Sequence, residues 1–316
     1  MDLSIVVPLY NEVESLPELS DWIHRVLSGR QLTYELIFVD DGSNDGSWEQ
    51  IELLSKKYKE VRGAKFRRNY GKSAALHTGF NMVRGDVVIT MDADLQDSPE
   101  EIPEMRRMII DEGFDVVSGW KKKRYDPFFT KRVPTKLFNW AARKVSGIRL
   151  HDFNCGLKAY RINVVKSVEV YGDMHRYIPV LAKGNGFTRI GEKVVQHQER
   201  KYGVTKFGMD RFVKGFLDLL TVSFLTRFAK KPMHLFGFIG SLMFIIGFGI
   251  ALYMGIDKLI ALIKHVPQGL IADSAFFYIS LTSMILGTLL FIGGFLGELI
   301  SRSAAERNSY EIEKEI

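Results

Sequence analysis

Cysteine is nearly absent from this chain: among 316 residues there is one, Cys155. That excludes an internal disulfide framework and suits a reducing compartment. Formal charge is missing from two long stretches, the 22 residues from Leu235 to Ile256 and the 23 from Ala275 to Gly297. Soluble core helices rarely run so far without a charge, and each stretch is long enough to cross a hydrocarbon core of about 30 Å as a helix. Met1-Asp2-Leu3-Ser4 lacks the basic region, apolar segment and cleavage site of a secretory signal, so none is expected. A Walker A loop is also missing. Gly71-Lys72-Ser73 has its ending, but the earlier glycine would have to stand at position 66, which is Phe66.

Positive charge is in excess. The formal net charge of +6 and pI near 9.2 suit anionic partners such as nucleotides, phospholipid head groups or nucleic acid. Arg227, Lys230 and Lys231 precede the first apolar run and Arg302 and Arg307 follow the second, while Lys258 and Lys264 lie between. The bias is modest and places both chain ends in the cytoplasm. Gly237, Gly240, Gly247 and Gly249, with Gly287, Gly293, Gly294 and Gly297, fit close helix packing in lipid. Before the first run, Phe212, Phe216, Leu219, Leu220 and Phe224 recur at helical spacing within Phe207 to Phe228. Such a stripe serves either a core or, beside a span and basic residues, an interfacial helix; the second is expected here.

The amino-terminal part alternates short apolar strands with helices. Strands are expected at Leu3–Val7, Tyr34–Val39, Gly63–Phe66, Val87–Met91 and Leu157–Tyr160. Helices are expected from an Asn11 N-cap to about Leu27, and over Trp48–Tyr58, Ser73–Val83 and Lys136–Val145. This alternation means βαβ units and a parallel sheet, with ligands at the carboxyl ends of the strands. Tyr10-Asn11-Glu12, Asp40-Asp41 and Asp92-Asp94 all fall there.

The central run is Gly85-Asp86-Val87-Val88-Ile89-Thr90-Met91-Asp92-Ala93-Asp94-Leu95-Gln96-Asp97. Its strand ends in hard oxygen donors, and alternate residues of an extended strand end turn toward one ion. Asp92, Asp94 and Gln96 therefore make a candidate Mg²⁺ or Mn²⁺ site that would also bind substrate phosphates. An Asp-X-Asp by itself equally marks a solvated turn. Lys72, at a helix start, meets either a phosphate or only solvent.

Val6-Val7-Pro8-Leu9-Tyr10-Asn11-Glu12, Val39-Asp40-Asp41-Gly42-Ser43, Arg68-Asn69-Tyr70-Gly71-Lys72 and Met91-Asp92-Ala93-Asp94-Leu95-Gln96-Asp97 together resemble the family 2, GT-A-fold glycosyltransferases. The similarity is to the polyisoprenyl-phosphate hexose transferase branch, which includes dolichol-phosphate mannose synthases and bactoprenol glucosyltransferases. It extends from Leu3 to about Lys206. The fold this implies is α/β: a GT-A (Rossmann-like, mostly parallel) catalytic domain at residues 1–206, an interfacial helix at 207–231, two transmembrane helices within 232–300 and a cytoplasmic tail at 301–316.

By resemblance, Pro8, Tyr10, Glu12 and Asp40 contact the nucleotide, while Asp92, Asp94 and Gln96 hold the metal on its diphosphate; Asn11, Lys72 and Asp92 are counted with the nucleotide-sugar set as candidates. Arg200-Lys201-Tyr202-Gly203-Val204-Thr205-Lys206 matches a segment that closes over the donor phosphates, so Arg200 and Lys206 join the donor set. Ser118 to Arg124 and Thr130 to Thr135 read as a basic loop, either a solvated face or a patch for anionic lipid. The family places its lipid-phosphate contacts here, on Lys121, Lys131 and Thr135, with Arg124 and Arg132 alongside. Lysine supplies a point charge where relatives use the arginine fork. Asp94 and Asp152 are the expected catalytic carboxylates; Asp152 otherwise caps a turn.

The expected activity is inverting transfer of a hexose from a nucleotide sugar to polyprenyl (undecaprenyl) phosphate on the cytoplasmic face of the cell membrane. UDP-glucose is the expected donor because the two-span layout looks like the bactoprenol glucosyltransferases. GDP-mannose or another UDP-sugar is the alternative. A processive polysaccharide synthase would carry Gln-X-X-Arg-Trp after the core, but no tryptophan follows Trp140. A non-catalytic membrane scaffold would have no reason to keep Asp92, Asp94, Gln96 and Arg200 intact. The partners expected are nucleotide sugar, polyprenyl phosphate, the bilayer and a second copy through the spans. Nucleic acid is not expected, since no stacking motif lies near the basic loop.

Overall fold

The computed structural model describes all residues except 123–138, 141, 145, 173, 199–200, 202–223, 225–231, 268 and 304–316. The chain divides into two compact units, Met1–Ser223 and Phe224–Ile316.

The first unit runs β1 (Leu3–Leu9), α1 (Leu16–Ser28), β2 (Tyr34–Asp40), α2 (Ser47–Lys57), β3 (Val61–Lys65), α3 (Lys72–Met82), β4 (Val87–Thr90), α4 (Ile102–Ile110), β5 (Val116–Trp120), β6 (Lys158–Arg161), α5 (Ile162–Ser167), α6 (Ile178–Gly184) and β7 (Ile190–Val194). β1, β2 and β4 are buried along their whole length, which is why they read as unbroken apolar runs rather than alternating ones. Ser4 and Glu35, the polar pair at the amino-terminal edge of β1 and β2, are satisfied there. Ser4 donates to Glu35 at 2.6 Å, and Arg62 and the Arg84 amide reach the same carboxylate at 2.5 and 2.8 Å.

The seven strands lie in the order β3-β2-β1-β4-β6-β5-β7. β1 pairs with β2 and β4 in parallel, β2 with β3 likewise, and Leu9 stands opposite Asp40. Between β1 and β4 the strand order reverses direction, making the crevice where open α/β sheets take ligands. The sheet is mostly parallel, as expected, and its antiparallel pairings lie in the other half. β6 is antiparallel to both β4 and β5, and β5 pairs with β7 in parallel.

Some local expectations change. α1 starts at Leu16, and Asn11 is no N-cap: its φ of +54° bends the chain five residues earlier. Ser118-Gly119-Trp120 belongs to strand β5 rather than to a basic loop, because its Val116-Val117 start is fully buried. The expected helix at 136–145 lies partly outside the described residues; 139–140, 142–144 and 146 are helical. The expected interfacial helix lies outside them except for Phe224.

The second unit contains α7 (Pro232–Ile263) and α8 (Ala275–Ser303). Over Pro232–Ile263 and Ala275–Ile300, windows of mean hydropathy 2.3 and 2.0 are only 17% and 11% buried, so both are candidate membrane spans. At 1.5 Å per residue the 32 residues of α7 reach roughly 48 Å, well beyond a hydrocarbon core, and carry Asp257 and Lys258 in the last turns. The helices meet through glycine. A Cβ on Gly240 would lie 2.5 Å from the Gly287 carbonyl oxygen, and one on Gly287 would lie 2.6 Å from that of Gly240. Gly247, Gly294 and Gly297 also face the opposite helix closely, whereas Gly249 and Gly293 have no neighbour within 4 Å of such a Cβ.

Candidate active site

The loops leaving β1 and β2 are tied to each other. The Asn11 amide donates to Ser43 at 2.8 Å, Glu12 to Ser47 at 3.1 Å and Val13 to Asp45 at 3.1 Å, while Asn44 donates back to the Asn11 side chain at 3.0 Å. Pro8, Tyr10, Asn11, Glu12 and Asp40 are thereby gathered at one end of the sheet. Asp40 is fully buried; it accepts from the Ser43 amide at 2.8 Å, and Lys65 lies 4.0 Å from its other oxygen. Asp41 accepts the Tyr70 and Gly71 amides at 2.7 and 2.9 Å, fixing the turn before α3. Burial, only partly offset by those two amides, raises its carboxyl. Gly42, at φ +77°, must be glycine: a Cβ would come within 2.6 Å of the Arg68 carbonyl carbon.

Beyond β4 lies Asp92-Ala93-Asp94-Leu95-Gln96-Asp97. Lys72, first residue of α3, forms an ion pair with Asp92 Oδ1. Burial opposes ionisation of Asp92, but Lys72 and Lys121 outweigh it and hold the carboxyl well below its ordinary range. Asp94, 8% exposed, accepts from the Gln96 amide at 3.2 Å. Between them Leu95 is in the left-handed region at φ +61°, an unusual state for a bulky residue and a mark of strain held at a site. The Gln96 carbonyl accepts from the Gln198 amide at 3.0 Å, and Asp97 bridges to His197, so the loop is closed from its far side.

The β5–β6 side supplies the floor. Lys121 pairs with fully buried Asp97 at 2.7 Å. Burial disfavours its ammonium, yet Asp97 overrides this and raises it above the ordinary lysine range. Asp152 is buried; its carboxylate accepts from the Asn154 amide at 3.0 Å and its carbonyl from Ser118 at 3.3 Å. Buried Lys158 donates to the Cys155 carbonyl, and burial lowers its ammonium. Burial pushes the Cys155 thiol up to about 12, partly countered by Lys121, so it stays protonated and unreactive. Gly156 packs directly on Asp92: a Cβ there would lie 2.5 Å from Oδ2. His175 holds Ser73 at 3.0 Å through Nδ1 and donates its amide to the same hydroxyl at 3.1 Å. Burial, with Lys72 and Arg176 nearby, keeps its imidazole well below the usual histidine range, hence neutral.

The structure thus brings Pro8, Tyr10, Asn11, Glu12, Asp40, Lys72, Asp92, Asp94, Gln96, Lys121 and Asp152 to the same side of the sheet or the loops beside it. Arg124, Lys131, Arg132, Thr135, Arg200 and Lys206 lie outside the described residues. Asp41, read from sequence only as a strand-end residue, supports the site, as do Gly156, Ser73 and His175, which were given no role from sequence. Asp41 adjoins a chosen aspartate, whereas Gly156 is 64 positions from Asp92 and His175 is 102 from Ser73. No periodicity links such distant positions.

Among the described residues, no group of three histidine, cysteine, aspartate or glutamate side chains is gathered for a metal. The donor set still suits a hard cation that keeps its waters and shares substrate phosphates, since Asp92 is held ionised and already has a cation, the Lys72 ammonium, beside it.

The model of the family described as "Glycosyl transferase family 2" matches residues 4–168, more than half of the chain. Dodecaprenyl-phosphate galacturonate synthase of Rhizobium johnstonii is 36% identical over 262 residues, covering 82% of this chain and 78% of its own. Undecaprenyl-phosphate 4-deoxy-4-formamido-L-arabinose transferase of Aeromonas hydrophila is 34% identical, covering 95% of this chain and 88% of its own. Among solved structures, mannosyl-3-phosphoglycerate synthase from Rubrobacter xylanophilus shares the fold with a TM-score of 0.56 at 17% identity, covering 71% of this chain and 74% of its own. So does glucosyl-3-phosphoglycerate synthase from Mycobacterium tuberculosis, in complex with Mn²⁺, UDP and phosphoglyceric acid, with a TM-score of 0.53 at 19% identity and coverage of 71% and 78%. On its sequence and its GT-A-like sheet, the chain belongs to glycosyl transferase family 2.

Proposed function

We propose that this protein is a membrane-bound, metal-dependent glycosyltransferase that moves a sugar from a nucleotide sugar to a polyprenyl phosphate, with inversion at the sugar carbon. One observation carries the reading: an ionised, cation-paired Asp92 stands with Asp94 at the crevice between β1 and β4. Relatives named as polyprenyl-phosphate sugar transferases, aligned through both candidate spans, supply the acceptor class.

In this reading Pro8, Tyr10, Asn11, Glu12 and Asp40 bind the nucleoside, and Asp92, Asp94 and Gln96 hold Mg²⁺ or Mn²⁺. When bound, the ion neutralises the diphosphate as it leaves. Arg200 and Lys206 close over the donor, and Arg124, Lys131, Arg132 and Thr135 receive the lipid phosphate. Lys121 contributes from its pair with Asp97 as part of the floor. The acceptor is a phosphate monoester whose second pKa lies near 6, so at neutral pH it is already largely an anionic nucleophile. No strong base is required, and buried Asp152 orients the groups around it. The catalytic domain spans 1–206, the spans lie within 232–300, and both chain ends are cytoplasmic, as the flanking Arg227, Lys230, Lys231 and Arg302 favour.

UDP-glucose loses its advantage. Relatives named for another sugar align over 95% of this chain, a length that takes in both candidate spans, so the two-span layout no longer singles out glucose. Uronic and amino-modified pentose donors therefore stand beside glucose.

The test is purified full-length protein with undecaprenyl phosphate and labelled UDP- and GDP-sugars, including uronic acids and formamido-pentoses. One donor should give a lipid-linked sugar; transfer to water or protein alone would overturn the acceptor assignment.

A further inference from the structure

Two lysines reach the aspartate-rich loop after β4, and they differ in kind. Lys121 pairs with Asp97 where the side chains are 12% and 0% exposed, so it is built into the floor. Lys72 pairs with Asp92 where both partners keep about a third of their side-chain surface, 35% and 32%. Lys72 also begins the 11-residue α3, and the positive end of a helix is an unfavourable place for an ammonium and a favourable one for a phosphate. What keeps the Lys72 charge there is the Asp92 carboxylate. The Gly156 backbone lies against the Asp92 oxygens, leaving no room even for a methyl group and limiting the carboxylate's movement on that side. The carboxylate is backed by Gly156, while the ammonium sits at the end of a long, rotatable side chain that is 35% exposed.

We propose that Lys72 is a placeholder cation on Asp92, displaced by a divalent metal ion and received by the donor diphosphate, so that metal and nucleotide binding are coupled through this one side chain. The inference rests on the reading of Asp92 as a metal ligand. A metal ion arriving alone must expel an ammonium whose one ion pair among the described residues is with Asp92. Arriving with a nucleoside diphosphate, it leaves the ammonium a phosphate at the amino end of α3. Metal binding in the absence of nucleotide is therefore weak by design, and the nucleotide raises it. Coupling is reciprocal, so the metal raises nucleotide affinity by the same factor.

The experiment is Mn²⁺ titration followed by electron paramagnetic resonance of the free ion, on full-length protein in nanodiscs, with and without saturating UDP or GDP. Wild type, Lys72→Gln, Lys72→Met and Asp92→Asn are compared, each checked for an unchanged melting profile. Removing the competing charge should tighten Mn²⁺ binding without nucleotide by about tenfold in both Lys72 variants, the effect of one nearby unit charge in a partly exposed site. It should also shrink the strengthening that nucleotide confers. If both Lys72 variants bind Mn²⁺ alone no more tightly than wild type while Asp92→Asn loses it, the placeholder role is wrong and the metal site stands. If Asp92→Asn binds Mn²⁺ as wild type does, the metal reading falls, and the placeholder falls with it.

Discussion

Asp41 and Asp92 stand at matching places, one just past β2 and one just past β4, and their carboxylates are satisfied in opposite ways. Asp41 spends both oxygens on backbone amides of the turn before α3. Asp92 meets the side-chain ammonium of Lys72. A backbone partner cannot leave without unfolding the turn, whereas a lysine leaves by rotating its own bonds. At one sheet edge, then, the carboxylate met by amides is architecture and the one met by a mobile cation is available for exchange. Asp97 extends the contrast: its partner Lys121 is a side chain too, but one buried until it behaves like backbone.

The largest expected effect tests that last point. Lys121→Ala leaves a buried carboxylate without its cation and should cost about 3–5 kcal/mol of stability in denaturant titration. Replacing both partners, as Lys121→Met with Asp97→Leu, should recover most of the loss. If Lys121→Ala instead folds normally and only raises KM for lipid phosphate, Lys121 is an exchangeable cation like Lys72.

Next comes the exchangeable side. Asp94→Ala should lower turnover by at least about a hundredfold, comparable to losing one preorganised electrostatic group, with little change in melting. Excess EDTA should abolish turnover, and Mg²⁺ or Mn²⁺ should restore it. Asp152→Asn should retain more activity than Asp94→Asn, with weak pH dependence above neutrality; equal loss in the two would assign Asp152 a general-base role.

Asp41→Asn should behave the other way round. One of its two amide partners loses an acceptor, at a cost of about 1–3 kcal/mol in stability. Turnover of the folded fraction should change little. A loss of activity without a loss of stability would put Asp41 among the ligands.

The smallest effect is in the pH dependence of melting. Asp92 has its carboxyl depressed below 3.8, so its contribution is present above that value and is lost as pH falls beneath it. Asp41 has its carboxyl raised above 3.8, so it favours the fold when protonated and opposes it progressively as pH rises through the carboxylate range. Asp92→Asn should flatten the acid-side decline, and Asp41→Asn should flatten the decline on the other side. The same slope change in both variants would erase the distinction between them.

Much of this was legible in the chain. Leu3–Leu9 and Val87–Thr90 are buried on both faces, and such strands announce themselves as continuous apolar runs. Their carboxyl ends carry the acidic and turn residues, so the donor half of the site could be read directly. The other half could not. β6 (Lys158–Arg161) was expected as Leu157–Tyr160, but its pairing was not, and β7, Ile190-Gly191-Glu192-Lys193-Val194, has no fully buried residue and so no apolar run to betray it. Antiparallel insertion of β6 is a tertiary choice that local pattern does not encode. Asn11 misled because an asparagine ahead of an apolar helix suits a cap, yet it also tolerates a left-handed turn, and the turn won. The contacts of Gly156 with Asp92 and of His175 with Ser73 exist only once the sheet has formed.

The mutual approach of Gly240 and Gly287 has a consequence for how the hairpin moves. Gly240 and Gly247 are seven apart on α7, and Gly287 and Gly294 are seven apart on α8. Each places bare backbone where the other helix has no room for a side chain. Changing the register would bring Ile246 or Phe248 toward the notch that Gly247 fills, and Leu286 or Thr288 toward that of Gly287. The hairpin is therefore keyed like a lock with one depth: the register that sets Gly240 against Gly287 is the one the close backbone contact allows.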